Sequence, residues 1–271
     1  MDNIVVVRGA GDLATGVIHK LNRCNIKVIA LETSHPTAIR RTVSFCNAVF
    51  EGEMEVEGVK CKLTDNIDDM HSLLGEGYVP LFVDQSCEIL KQIKPVALVD
   101  AIIAKKNIGT KIDMAPVTIA LGPGFEVGKD VDAVIETKRG HNLGRIIYEG
   151  FAEKDTGIPG NIKGYSKERV IHSPAEGIID NISEIGDYVE KNQVIAKVNG
   201  QNIYATLDGI LRGIIYDKSY VKKGLKIADI DPRKEELQNC YKISDKARCI
   251  AGGVLEALLS MCCKKGIDLW K

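Results

Sequence analysis

Residues 5–16 run VVVRGAGDLATG: a valine-rich strand pattern ends in Arg8, and Gly9, Gly11 and Gly16 follow within a few positions. Glycines placed after a strand let the chain turn tightly and let backbone approach a pyrophosphate. A helix starting there offers free N–H groups and the positive end of its dipole. The third glycine is displaced from the usual dinucleotide spacing, where the small Ala14 stands. Glu32 closes the next strand pattern, where an acidic side chain accepts from a ribose hydroxyl. Asp12 either caps the helix or repels a phosphate at short range, and Thr15 lies on the same turn. Arg8, Gly9, Gly11, Asp12, Thr15 and Glu32 are therefore candidate cofactor-binding residues. The bland alternative is a tight turn that binds nothing.

Three further stretches concentrate ionisable groups. Arg40 and Arg41 follow the second strand pattern in PTAIRR, and a guanidinium suits planar contact with phosphate or carboxylate. DAIIAKKN ends an apolar run with Asp100, Lys105 and Asn107, a set able to orient an anion or move a proton. IETKRGHNLGR gathers Glu136, Arg139 and His141 around two glycines, with His141 an acid/base candidate. Asp100, Lys105 and His141 are the catalytic candidates. Arg40, Arg41, Asn107, Glu136 and Arg139 join the binding set. Solvated basic turns and ordinary loop charges are the competing readings. The eight cysteines include no Cys-x-x-Cys, so no metal site is expected.

These residues need elements to hold them. NIVVVR and KVIALE read as strands flanking the helix DLATGVIHKLNR, and TAIRRTVSFCNAVF reads as a helix capped by Thr37. NIDDMHSLL and CEILKQIK read as helices, VPLFVD and PVALVDAII as strands. Short apolar runs alternating with amphipathic stretches signify a parallel sheet covered by helices, whose carboxyl edge binds ligands. APVTIALG, VDAVIET and GRIIYEG are strands of a β extension, and EKDTGIPGNIKG (153–164) is a linker.

Beyond it, residues 176–198 align without gaps to 208–230 at an offset of 32. Two such halves should form one small β barrel or sandwich, and their GD-x-V pattern resembles biotinyl/lipoyl-carrier domains, the barrel-sandwich hybrid. A carrier shows its modified lysine at the hairpin tip. Here the tip is Asn199-Gly200 and Lys197 lies within the strand, so covalent biotin or lipoate is not expected. SDKARCIAGGVLEALLSMCCKK reads as a helix capped by Ser244; docking onto the first domain and pairing in a homodimer both stay open.

The expected fold class is α/β. A Rossmann-like nucleotide-binding domain with its β extension covers 1–155, the barrel-sandwich hybrid 166–233 and a C-terminal helical segment 234–271. A chain of 271 residues with 36 basic and 37 acidic groups is not a dedicated nucleic-acid binder. It has no apolar run of membrane-spanning length and no leader pattern, so a cytoplasmic protein is expected.

Taken together, VRGAGDLATGVIHKL, PTAIRRTVSF, VDAIIAKKNIGT, LGPGFEVGKDVDAVIETKRGHNLGR, TGIPG and DGILRG…IADIDPR resemble one family, the YqeB-type accessory proteins of selenium-dependent molybdenum hydroxylases. The resemblance implies a maturation role, with a molybdenum hydroxylase subunit or other selenium or molybdenum cofactor maturation proteins as partners. In that role the glycine loop would bind a nucleotide or a molybdopterin dinucleotide. Read without it, the same loop would serve NAD(P) in an oxidoreductase, or nothing in a non-catalytic scaffold.

Overall fold

The structure, a computed structural model, describes residues 2–155, 157, 160 and 162–270. The candidate linker 153–164 lies partly outside the described residues. Contacts divide the chain into two compact units. One comprises 1–36, 44–155 and 243–271, the other 37–43 and 156–242. This partition is drawn differently from the three successive segments expected.

In the first unit the strands are β1 (Asp2–Arg8), β2 (Lys27–Glu32), β3 (Glu53–Val56), β4 (Val59–Leu63), β5 (Val79–Val83), β6 (Pro95–Asp100), β7 (Val117–Leu121), β8 (Ala133–Ile135) and β9 (Ile146–Ile147). They form one nine-stranded sheet in the order β3-β4-β5-β2-β1-β6-β7-β8-β9. The strands from β4 across to β8 run parallel. Antiparallel β3 and β9 close the two edges. Strands such as β6 and β7 are buried at every position, as expected when both faces of a parallel sheet are covered.

The helices are α1 (Asp12–Arg23), α2 (Ala48–Glu51), α3 (Ile67–Gly75) and α4 (Asp245–Lys264). α1 packs against α4, and α4 covers β7 and β8. The two helices approach closely because Gly16 faces Ala247. A Cβ on Gly16 would lie 2.8 Å from the Ala247 Cβ. Ser244 caps α4, its hydroxyl accepting from the Ala247 N–H at 3.1 Å. The other face is filled by Ile4, Val6, Ile29, Leu31 and Leu98, packed against Met70 of α3, Phe82, Ile89 and Ile93.

The second unit contains β10 (Val170–His172), β11 (Gly177–Asn181), β12 (Tyr188–Val189), β13 (Val194–Val198), β14 (Gln201–Tyr204), β15 (Gly209–Ile214), β16 (Tyr220–Val221) and β17 (Lys226–Asp231). The 32-residue offset carries β11, β12 and β13 onto β15, β16 and β17. Each short strand pairs with the opposite copy: β12 with β15, and β16 with β11.

Several expectations are corrected. The fold is not a Rossmann-like domain with a β extension followed by a biotinyl/lipoyl-type barrel-sandwich hybrid. It is a mixed α/β protein with one nine-stranded, mostly parallel sheet and two four-stranded antiparallel sheets, β10-β17-β15-β12 and β14-β13-β11-β16. The would-be extension is integral to the large sheet, since β7 and β8 continue its parallel register. The repeated GD-x-V pattern marks strands and turns without fixing how sheets share them, and β10 and β14 add strands the repeat does not contain. Likewise, TAIRRTVSFCNAVF is not one helix. It makes two 3-10 turns, Arg41–Val43 and Phe45–Asn47, before the single turn of α2. CEILKQIK is reduced to a 3-10 turn at Glu88–Lys91.

Candidate functional site

The carboxyl ends of β1, β2 and β6 put Arg8, Glu32 and Asp100 along one edge of the sheet. Gly9 turns the chain out of β1 with φ of 104°. Its Cα passes so near β6 that a Cβ would lie 3.1 Å from the Ala101 carbonyl, so the fold itself demands glycine there. Gly11 is different. It is the N-cap of α1 with φ of −71°, it supplies no side-chain cap, and a Cβ added to it would meet nothing within 4 Å. The fold does not require this glycine, and the space in front of it suits an approaching anion.

Glu32 is held beside this loop. Its Oε2 accepts from the Ala10 N–H and its Oε1 from the Thr33 N–H, both at 2.8 Å. Burial pushes its pKa up, while these two N–H groups pull it back down. Each oxygen retains a lone pair for a hydroxyl donor. Thr15 is fully buried and structural. Its hydroxyl donates to the Ala10 carbonyl at 3.1 Å and accepts from the Phe45 N–H at 2.9 Å. The Cys46 N–H also donates to the Ala10 carbonyl, at 2.8 Å. This draws residues 45–47 under the loop, where the Asn47 Oδ1 is buried without a hydrogen-bond partner among the described residues.

Arg8, 5% exposed, is committed elsewhere. It pairs with Asp100 at 3.3 Å and donates to the Thr110 hydroxyl and to the Gln85 and Ile108 carbonyls. Asp100 also accepts from the Thr110 hydroxyl at 2.5 Å and the Ile102 N–H at 3.2 Å. Asn107 accepts from the Gly109 and Thr110 N–H groups and donates to the Thr110 carbonyl. These three side chains lock the loops after β1 and β6 into shape. Asn107 builds its own turn.

Glu136 serves the same kind of purpose, accepting from the N–H groups of Thr137, Lys138 and Glu153. Arg139 makes a bidentate pair with Asp245 at 2.8 and 3.1 Å. Lys105 pairs with Asp155 at 2.6 Å, and His141 is exposed in the turn after β8. Arg40 and Arg41 belong to the second unit and lie on no α-helix. Arg40 donates to the Asn239 and Lys242 carbonyls. Arg41 donates to the Ile214 carbonyl and stacks 5.5 Å from the Tyr216 ring centroid. Cys46, Cys61 and Cys87 are buried, and burial pushes their thiols up. Among the described residues no three His, Cys, Asp or Glu gather as metal ligands would, and no helix is long and apolar enough to cross a membrane.

Lys246, in the first turn of α4, escaped the sequence reading. It is half-buried, which lowers its pKa, as does Arg139, against the pull of Asp155, Asp12 and Glu136. It makes no ion pair within 4 Å among the described residues. A lysine opening a helix runs against the macrodipole, a local-rule violation that was visible in SDKAR. Charging it in the folded state is penalised at neutral pH. Lys246→Met should therefore raise the melting temperature of the free protein. That gain should fade as pH rises through the lowered folded pKa toward the ordinary lysine range. A melting-temperature series from pH 7 to 11 checks the sign.

No family model matches the chain. Among solved structures, it resembles an aspartoacylase family protein from Mesorhizobium loti at 13% identity, with 85% of each chain covered and a TM-score of 0.29. It also resembles the product-bound ectoine utilization protein EutE (DoeB) from Ruegeria pomeroyi, at 12% identity, 84% of each chain and a TM-score of 0.26. A succinylglutamate desuccinylase/aspartoacylase from Rhodobacter sphaeroides follows at 13%, 85% of each chain and 0.27. Likenesses this slight carry no argument. The uncharacterized protein YqeB of Escherichia coli (strain K12) is 51% identical over 258 residues, which are 95% of this chain and 48% of that protein. The chain thus spans about half the length of this relative, to which it is similar along nearly all of its own length.

Proposed function

We propose that the Gly9–Asp12 loop and Glu32 bind a pyrophosphate-bearing nucleotide. The observation that carries this reading is Gly11, a glycine the fold does not need, set at the uncapped start of α1 with open space before it. The α1 N–H groups and dipole would hold phosphate, and Glu32 would accept from a ribose hydroxyl. Arg8 acts one step back, by fixing the loops.

The motif resemblance favours molybdopterin dinucleotide as the ligand, and maturation of a selenium-dependent molybdenum hydroxylase as the role. The residues fit the dinucleotide's phosphates and ribose; once bound it supplies the metal-binding pterin. Thermal denaturation with inorganic pyrophosphate, ATP, NAD, NADP and molybdopterin cytosine dinucleotide tests the site. A ligand at a hundred times its Kd should stabilise by about 2.7 kcal/mol. If none raises the melting temperature, the loop is only a turn. A preference for NAD, with absorbance change at the nicotinamide band, would turn the reading toward an oxidoreductase. The maturation role predicts that the hydroxylase from a deletion strain loses its selenium; unchanged selenium content would refute it.

A further inference from the structure

We infer that the cavity at the carboxyl ends of β4 and β5 receives the base of the nucleotide and selects bases that carry an amino group. The inference rests on the nucleotide reading of the glycine loop. Four observations carry it.

The first is position. β5 lies beside β2, Val83 is in register with Glu32, and the Asp84 N–H donates to the Glu32 carbonyl at 3.0 Å. Adjacent strands are about 4.8 Å apart, so the cavity begins about one ribose away from the carboxylate proposed to hold that ribose. The second is size. Its volume of about 550 Å³ suits a flat heterocycle rather than an ion.

The third is the floor, made by Leu63, Phe82, Val83 and Ile89. Val83 is 47% exposed although it ends a strand that is otherwise buried, which leaves an apolar surface for a ring to cover. The fourth is the rim, where Asp65 and Asp84 stand. The Asp84 Oδ2 already accepts from the Ile89 N–H at 2.8 Å. Asp65 makes no hydrogen bond or ion pair among the described residues. A carboxylate only accepts. It therefore favours the amino groups of adenine, cytosine or guanine and meets the two carbonyls of uracil unfavourably.

The test is titration calorimetry of the whole chain with ADP, CDP, GDP, UDP and inorganic pyrophosphate, repeated on Asp65→Asn and Val83→Trp. Both positions are exposed, so neither substitution disturbs the core. At least one amino-bearing nucleotide should bind about tenfold or more tighter than UDP. Asp65→Asn should erase most of that preference. Val83→Trp should weaken every nucleotide while leaving pyrophosphate unchanged. Nucleotides that bind no better than pyrophosphate, or that ignore both substitutions, would overturn the base site and leave the phosphate site standing. Failure of pyrophosphate and all nucleotides to bind the unaltered protein would overturn both.

Discussion

Gly11→Val should reduce affinity for any pyrophosphate-bearing ligand by about a hundredfold or more while the protein still folds. The two halves of that expectation have separate causes. Valine can adopt the φ of −71° found at Gly11, and the first atom it adds meets nothing within 4 Å. The cost to α1 is that of a poor N-cap, about 1 kcal/mol or less. The same branched side chain would stand before the first N–H groups of the helix and block a phosphate from reaching them. Calorimetry with ATP or NAD, paired with a urea melt, separates the effects. A variant that folds and binds normally would show that Gly11 merely turns the chain. Gly9→Val is the useful contrast, because there the backbone is left-handed and the Ala101 carbonyl stands 3.1 Å away. That change should damage folding and binding together.

Arg8→Met should be the most destabilising single substitution at this edge, by about 3–5 kcal/mol. The guanidinium bonds to Asp100, Thr110, Gln85 and Ile108 at once, and Asp100 is 1% exposed. Removing the arginine leaves a buried carboxylate with the Thr110 hydroxyl and the Ile102 N–H as its remaining partners. The double change Arg8→Met, Asp100→Leu should recover much of the loss, because no charge is then stranded. Urea denaturation of the two single variants and the double variant completes the cycle. A double variant that loses the sum of the two single losses would mean that the pair contributes through packing alone.

Periodicity was a good guide where local pattern and tertiary demand agree. The strand–helix–strand start, the Ser244 cap and the 32-residue repeat all stand in the structure as their residues indicate. The alternating residues 53–63 also announce a hairpin, with Glu57 and Gly58 at positive φ in its turn, and went unread. TAIRRTVSF misled because its spacing suits a helix. Arg40 and Arg41 instead give their donors to carbonyls of residues distant in sequence, and those tertiary bonds override propensity.

The candidate site was legible in part for a related reason. Charged residues after a strand look alike whether they meet a ligand or their own chain. Asn107 and Glu136 have the side chains of a binding site, yet both are spent on neighbouring backbone N–H groups. Only coordinates distinguish those from Glu32, which keeps acceptor capacity beside a loop with space. Lys246 lay too far along the chain for any local pattern to associate it with Asp12.

The position of α4 also bears on how the chain acquires its structure during synthesis. The helix that covers α1, β7 and β8 is translated only after all of 156–242 has emerged. Until then, the apolar face of α1 and the flank of two parallel strands stay open to water. Nascent chains grow by about 5–20 residues per second, so this interval lasts several seconds. The second unit, whose strands all lie within 170–231, can close during that wait. The first unit must nucleate around contacts far apart in sequence, the slow regime for folding. A ribosome-bound chain stalled shortly before Ser244 would then expose α1 to chaperones and proteases, and emergence of α4 would be the step that ends the exposure.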